Sequence, residues 1–250
     1  MNNAQRVKLL GVPVDIVADM AGALRTVQRL VEDSVSPRTV LAVNPEKIYQ
    51  VRSSPLLQEI FENAGLLIPD GIGVVFGLRM LYKAKVSRVA GADLMQEICA
   101  LSAREGWPVF IYGASETVGA GAYQRLEQRY PGLKIAGRKN GYVADMNEIV
   151  DAVNSSGARI LFVALGSPRQ ERWMLDYAKR LTSVHLIQGI GGTLDTIEGS
   201  VRRAPLWFQR HHLEWFYRLC RQPSRLFRQV VLLRFTWEIF TAGICKGMRR

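Results

Sequence analysis

The chain has 250 residues, 48% of them hydrophobic, 22% charged and 9% aromatic, enough for one α/β domain with a sizeable core and unlike a disordered or fibrous chain. Its three cysteines, Cys99, Cys220 and Cys245, are scattered and have no nearby histidine pairs, so neither a disulfide framework nor a zinc site is expected, and the usage suits a reducing cytoplasm. The formal net charge of +11 is uneven, because residues 200–250 hold eleven basic side chains against only Glu214 and Glu238.

Met1 to Leu10 is polar and lacks a hydrophobic run, so no signal peptide is expected. Thr39 to Val43 is a short apolar strand that stops at Asn44-Pro45, and a helical pattern follows through Ile60-Phe61. Gly65 to Ile68 is a buried strand ending at Pro69-Asp70-Gly71, and Ile72 to Leu81 resumes a helix. After a basic linker, Lys83 to Arg88, come a helix over Asp93 to Arg104, a strand over Pro108 to Tyr112, and a helix from beyond Gly113 to Tyr130. Leu133 to Ala136 is a short strand, and Arg159 to Leu165 is a strong buried one with Gly166 and a helix behind it. His185 to Gln188 is the last clear strand and ends in Gly189-Ile190-Gly191-Gly192.

Short apolar strands alternating with helices predict βαβ units. The expected fold class is therefore α/β, with a Rossmann-like, mostly parallel sheet and flanking helices over residues 1–195. The composition shifts near residue 196, which predicts a small, helical, basic C-terminal appendage over 196–250, interrupted by Pro205 and Pro223. No segment reaches the ~20 apolar residues that span a bilayer. Val230 to Cys245 comes nearest, but Arg234 and Glu238 interrupt it, a pattern suited to lying on a surface.

In parallel sheets ligands sit outside the carboxyl ends of the strands. Asp70 falls at such an end, where a carboxylate can serve as a general base or equally as a helix N-cap. Gly113-Ala114-Ser115 opens a helix whose N–H groups could attract phosphate, though a plain tight turn explains it as well, and both the dinucleotide fingerprint and the P-loop lysine are missing. In Gly166-Ser167-Pro168-Arg169-Gln170-Glu171, Arg169 and Gln170 are candidates for phosphate or sugar hydroxyls, while Glu171 could simply favour the helix N-terminus. Gly191 and Gly192, followed by Asp195, permit close approach of a pyrophosphate or nucleobase. Arg218, Arg221, Arg225 and Arg228 recur at helical spacing among Trp215, Phe216, Tyr217 and Phe227, and such an Arg-rich aromatic stretch suits a polyanion. That polyanion is a nucleic acid, an anionic membrane surface or a pyrophosphate-bearing ligand. His211-His212 has no evident companion ligands and reads as surface.

Taken together, the ordered segments Val43-Asn44-Pro45-Glu46, Ile68-Pro69-Asp70-Gly71, Arg88 to Leu94, Gly166 to Glu171, Gly191 to Asp195, and Arg202-Arg203-Ala204-Pro205 leading to Glu214-Trp215 and Tyr217-Arg218-Leu219 resemble the WecG/TagA/CpsF family of glycosyltransferases. The resemblance runs from about Leu9 to Arg228. It implies an inverting, metal-independent enzyme without a cofactor, using a UDP-sugar of the N-acetylmannosamine type or related. It also implies an undecaprenyl-diphosphate-linked acceptor and peripheral attachment at the cytoplasmic face of the inner membrane, in cell-surface polysaccharide synthesis. By the same resemblance Asp70 matches the general base, Arg88 and Gln170 match polar residues of the catalytic pocket, and Asn44 matches the asparagine at the first strand end. Gly113, Gly166, Arg169, Gly191, Gly192 and Asp195 complete the expected substrate-binding set. Arg218, Arg225 and Arg228 match arginines of an appendage that closes over the site and touches the membrane. Where many members carry Thr, this chain has Ala42. A homo-oligomer is left open, and no nucleic acid partner is expected. The competing readings are a nucleotide- or nucleic-acid-binding module using the basic tail, and a dehydrogenase.

Overall fold

Apolar segments such as Val109–Gly113 and Ile160–Ala164 are buried along their whole length. Strands without alternation of burial belong inside a parallel sheet covered on both faces, and that is the arrangement observed. The computed structural model describes residues 5–201, 204–205, 207–208, 216–217 and 226–247. An N-terminal antiparallel hairpin, β1 (Arg6–Leu9) and β2 (Val12–Asp15), precedes α1 (Met20–Asp33). Then follow β3 (Arg38–Val43), α2 (Pro45–Ser53), α3 (Pro55–Glu62), β4 (Leu66–Pro69), α4 (Ile72–Tyr82), α5 (Gly91–Glu105), β5 (Val109–Gly113) and α6 (Glu116–Arg129). The chain continues through β6 (Ile135–Lys139), α7 (Met146–Ser156), β7 (Ile160–Ala164), α8 (Arg169–Tyr177), β8 (Leu186–Gly189) and α9 (Thr193–Glu198). A long helix, here α10, spans Leu226–Gly247.

The main sheet has six strands in the order β4-β3-β8-β7-β5-β6, and every pairing is parallel. All six carboxyl ends therefore lie along one edge. One face carries α1, α5, α6 and α9 through residues such as Val27, Ile98, Leu126 and Leu194. The other carries α2, α3, α4, α7 and α8, with the hairpin, through residues such as Ile48, Phe61, Leu78, Val153 and Trp173.

The expected α/β class with a parallel sheet is observed. Three elements had no expected counterpart: the hairpin, α1 and α7. The helix expected to run on through Phe61 is two helices. Pro55 cannot continue α2, and Ser54 caps α3 by accepting from the N–H of Leu57 at 3.4 Å. The hairpin is fastened to the edge of the sheet by Asp15, whose carboxylate accepts from Arg6 Nε at 2.8 Å and from the Leu67 N–H of β4 at 2.8 Å. That bond covers a donor on an edge strand.

The division expected near residue 196 lies inside α9. Farther on, α10 lies against α4, where Gly73 and Gly77 leave room for it. A Cβ on Gly77 would stand 2.9 Å from Ile239 Cδ1, and one on Gly73 would stand 3.3 Å from Phe235 Cε1. Phe235 and Ile239 are thereby buried in the same core as the sheet. Among the described residues no helix is long and apolar enough to cross a membrane.

Candidate active site

The carboxyl edge of the sheet gathers most of the expected residues into two groups. The first surrounds Asp70, immediately after β4. Its backbone N–H donates to the carbonyl of Val43 at 2.9 Å, which sets it beside the end of β3 and Asn44. The cap of α4 is Gly71, with no side-chain hydrogen bond, so the N-cap alternative for Asp70 does not hold for the helix that follows it. Its carboxylate instead turns to a distant segment. Oδ1 lies 3.3 Å from both Nε and Nη2 of Arg88, and Oδ2 accepts from the N–H of Gly91 at 3.1 Å. Gly91 opens α5, so the carboxylate meets the positive end of a 15-residue helix as well as a guanidinium. Both Asp70 and Arg88 are partly exposed, at 24% and 20% of their side chains. An acid held in this way faces solvent while its charged form is supported.

The second group follows β7 and β8. Gln170 is buried in the first turn of α8, where its Oε1 accepts from the N–H of Gly191 at 3.1 Å. This bond pins the glycine loop after β8. Gly166 and Gly191 both have positive φ, 72° and 52°, and a Cβ on either would meet nothing within 4 Å. The backbone at both points is bare, which suits close approach of a ligand. Gly192 is exposed and Asp195 lies in the first turn of α9. Arg169 is exposed and reaches the carbonyl of Gly141 at 3.4 Å.

Other expected residues serve the framework. Asn44 caps α2, with Oδ1 accepting from the Lys47 N–H at 2.8 Å. Gly113 is buried with φ 123°, and a Cβ there would stand 2.4 Å from the Ala164 carbonyl oxygen, so the end of β5 packs tightly on β7. Ser115 caps α6. Arg218 and Arg225 lie outside the described residues, and Arg228 is described only as a member of α10. Among the described residues no three His, Cys, Asp or Glu side chains gather into a group that could hold a metal.

Three side chains have partners that the sequence reading did not assign. Lys47 and Glu171 form a buried ion pair at 2.8 Å, and Lys47 Nζ also bonds the Ser167 hydroxyl. Glu171 is 1% exposed, so its role is this pairing rather than only a favourable charge at the start of α8. Gln188, in β8, donates from Nε2 to the Gly91 carbonyl at 2.9 Å. The signal for Gln188 was its polarity within an apolar strand, and that for Lys47 was a cation in a first helical turn, against the helix dipole.

Farther along α2, Tyr49 and Arg52 meet α10. Arg52 and Arg234 both pair with Glu238, at 2.6 and 2.9 Å, and both guanidinium groups lie over the Tyr49 ring. Burial, and next the neighbouring Glu238 carboxylate, push the Tyr49 hydroxyl up to about 12. The helix capped by Asn44, with Lys47 in its first turn, is thus tied directly to α10.

A model described as the glycosyl transferase WecG/TagA/CpsF family matches residues 7–248. The chain is also similar to the N-acetylglucosaminyldiphosphoundecaprenol N-acetyl-beta-D-mannosaminyltransferase of Bacillus spizizenii. The two are 36% identical over 200 residues, which cover 80% of this chain and 77% of the relative.

Proposed function

Because the chain belongs to the WecG/TagA/CpsF family, and is therefore a glycosyltransferase, we propose that it moves an N-acetylmannosamine-type sugar from a UDP-sugar to an undecaprenyl-diphosphate-linked acceptor, inverting the anomeric centre and needing no metal. The acceptor class follows from what the Bacillus spizizenii relative is named for. The observation that carries the reading is Asp70, a partly exposed carboxylate held by Arg88 and the Gly91 N–H at the carboxyl edge of a parallel sheet.

The acceptor hydroxyl oxygen attacks the anomeric carbon from the face opposite UDP. The bond from that carbon to the UDP oxygen breaks, and Asp70 takes the hydroxyl proton. Negative charge grows on the departing UDP. The bare backbone at Gly166 and Gly191 gives the nucleotide close access, and Arg218, Arg225 and Arg228 supply positive charge against the growing negative charge. The product belongs to cell-surface polysaccharide synthesis.

The enzyme works as a peripheral protein at the cytoplasmic face of the inner membrane, with residues 196–250 as the associating appendage. Leu233, Trp237, Phe240 and Ile244 of α10 are exposed large apolar residues at helical spacing, and Phe76 of α4 is exposed beside them. Phe76 and Phe240 are in ring contact, with centroids 5.7 Å apart. An apolar stripe with tryptophan, bordered by arginine, suits a headgroup layer.

The test is UDP release from a panel of UDP-sugars with an undecaprenyl-diphosphate-linked acceptor, in EDTA, for the wild type and Asp70→Asn. Acceptor-dependent release from one donor, lost in Asp70→Asn, is the expected result. Full transfer by Asp70→Asn with an unchanged pH profile overturns the role of Asp70. Release that EDTA abolishes overturns metal independence.

A further inference from the structure

Gln188 is the polar exception in its strand. Leu186 and Ile187 before it are wholly buried, and Gln188 itself is 1% exposed. A buried amide is costly unless its hydrogen-bonding groups are satisfied. Only half of this one is. Nε2 donates to the Gly91 carbonyl at 2.9 Å, whereas Oε1 has no partner among the described residues. Methionine or leucine would fill similar volume without stranding an oxygen, so the packing of β8 alone does not account for glutamine.

The bond it makes lies next to Asp70. Gly91 is engaged on both sides of its Cα, its carbonyl accepting from Gln188 and its N–H donating to Asp70 Oδ2 at 3.1 Å. The start of α5 is therefore anchored to the sheet at two places. On one side the Val89 N–H donates to the Pro69 carbonyl of β4 at 3.0 Å, and on the other Gln188 reaches up from β8. Between them runs β3, with Ala42 below Gly91, and a Cβ on Gly91 would stand 3.6 Å from the Ala42 Cβ. Two residues with almost no side chain let the helix end sit low enough for the amide to span the gap.

The geometry points to Gln188 as a positioning residue for Asp70. Among the contacts of the carboxylate are the Arg88 guanidinium at Oδ1 and the Gly91 N–H at Oδ2. Arg88 is a long side chain, partly exposed. Gly91 is backbone at a helix end, and Gln188 fixes where that end lies. Loss of the amide leaves the helix packed by its apolar face but lets its first turn shift by tenths of an ångström. The Gly91 N–H then supports the ionised carboxylate less well, and the base is less well aimed at the acceptor hydroxyl.

This inference rests on the reading of Asp70 as the base, and the experiment separates the two. Gln188→Met and Gln188→Asn are made in the full chain, each alone and with Asp70→Asn, and assayed by acceptor-dependent UDP release. Met keeps the volume without the amide, and Asn keeps an amide one methylene too short to reach Gly91. For both, kcat is expected to fall about tenfold, as for loss of one hydrogen bond supporting a charged group. The donor KM should stay within about twofold, since ground-state binding is untouched. The acid limb of the pH–rate profile should move to higher pH, and the melting temperature of Gln188→Met should be equal to the wild type or higher. In the Asp70→Asn background neither change should lower the residual rate further. A wild-type kcat and pH profile in either single variant, while Asp70→Asn is strongly impaired, overturns the role of Gln188 alone. So does an equal loss with and without Asp70. Full activity of Asp70→Asn instead overturns the reading of Asp70 as the base.

Discussion

The ammonium of Lys47, in the first turn of α2, lies 2.8 Å from Oε1 of Glu171 in α8, 124 positions farther along the sequence. Both side chains are almost wholly buried, at 10% and 2% exposure. The pair joins the segment that follows β3 to the segment that follows β7, the two strands flanking β8. It therefore braces the crevice from which the Gly191 loop emerges.

Removing one partner of this pair leaves the other charged and buried. Lys47→Met is expected to cost roughly 3–5 kcal/mol of stability in urea unfolding, whereas Lys47→Met with Glu171→Leu, which removes both charges, recovers most of that loss. A Lys47→Met protein within about 1 kcal/mol of wild type would mean that water reaches the pair, and that the brace is weak.

Gly113 gives a second, local test. Its φ of 123° is a conformation side chains rarely adopt, and a Cβ would meet the Ala164 carbonyl oxygen at 2.4 Å. Because the obstacle is backbone of the neighbouring strand, it cannot rotate away. Gly113→Ala should destabilise the protein by on the order of 3 kcal/mol, combining strain with overpacking. Gly166→Ala shares only the strain, since nothing lies within 4 Å of its Cβ, and should cost less. Equal melting temperatures for the two variants would show that β5 and β7 can part at this point.

The layers of the fold were legible because parallel strands buried on both faces leave uninterrupted apolar runs, of which Arg159 to Leu165 is the plainest. The hairpin was not, since its strands have four residues each and its turn places Leu10 and Gly11 at positive φ without an Asn-Gly signature. The break between α2 and α3 is marked in the sequence by Pro55, which cannot continue a helix. Within the site, Asp70 and Gln170 could be found because each ends or follows a strand. Lys47, Glu171 and Gln188 act through partners that become neighbours only once the strand order β4-β3-β8-β7 is known. The docking of α10 was hidden for the same reason, since the hollow that takes Phe235 and Ile239 is defined by two glycines of α4.

That docking carries a pH dependence. Burial hinders ionisation of Glu238, but hydrogen bonds from Arg52 and Arg234 outweigh it and hold the carboxyl below its ordinary value of 4.5. A folded-state value below the unfolded one contributes stability that is present above 4.5 and is lost as pH falls through the depressed folded value. Tyr49, pushed to about 12, does not titrate in that window. The gap in melting temperature between wild type and Glu238→Gln should hold steady from neutral pH down to about 5 and close below 4.5. A gap that persists at pH 3 would assign it to packing of the side chain rather than to its charge.

The outer face of α10 makes a separable prediction, because its exposed residues are not those that hold it in place. Trp237 and Ile244 are 71% and 61% exposed, whereas Phe235 and Ile239 are buried. Trp237→Glu with Ile244→Glu should leave stability within about 0.5 kcal/mol of wild type, as surface changes do. If the stripe enters a headgroup layer, flotation with vesicles containing anionic phospholipid should weaken by at least about tenfold, since two large apolar side chains lose their burial and two negative charges face the surface. Added salt should weaken the wild type as well, through Arg234 beside the stripe. Phe235→Ala, by contrast, should cost about 3–5 kcal/mol, because it empties a core site. Wild-type flotation of the double variant, with a changed oligomeric state, would assign the stripe to a second copy of the chain and leave membrane attachment to the basic residues alone.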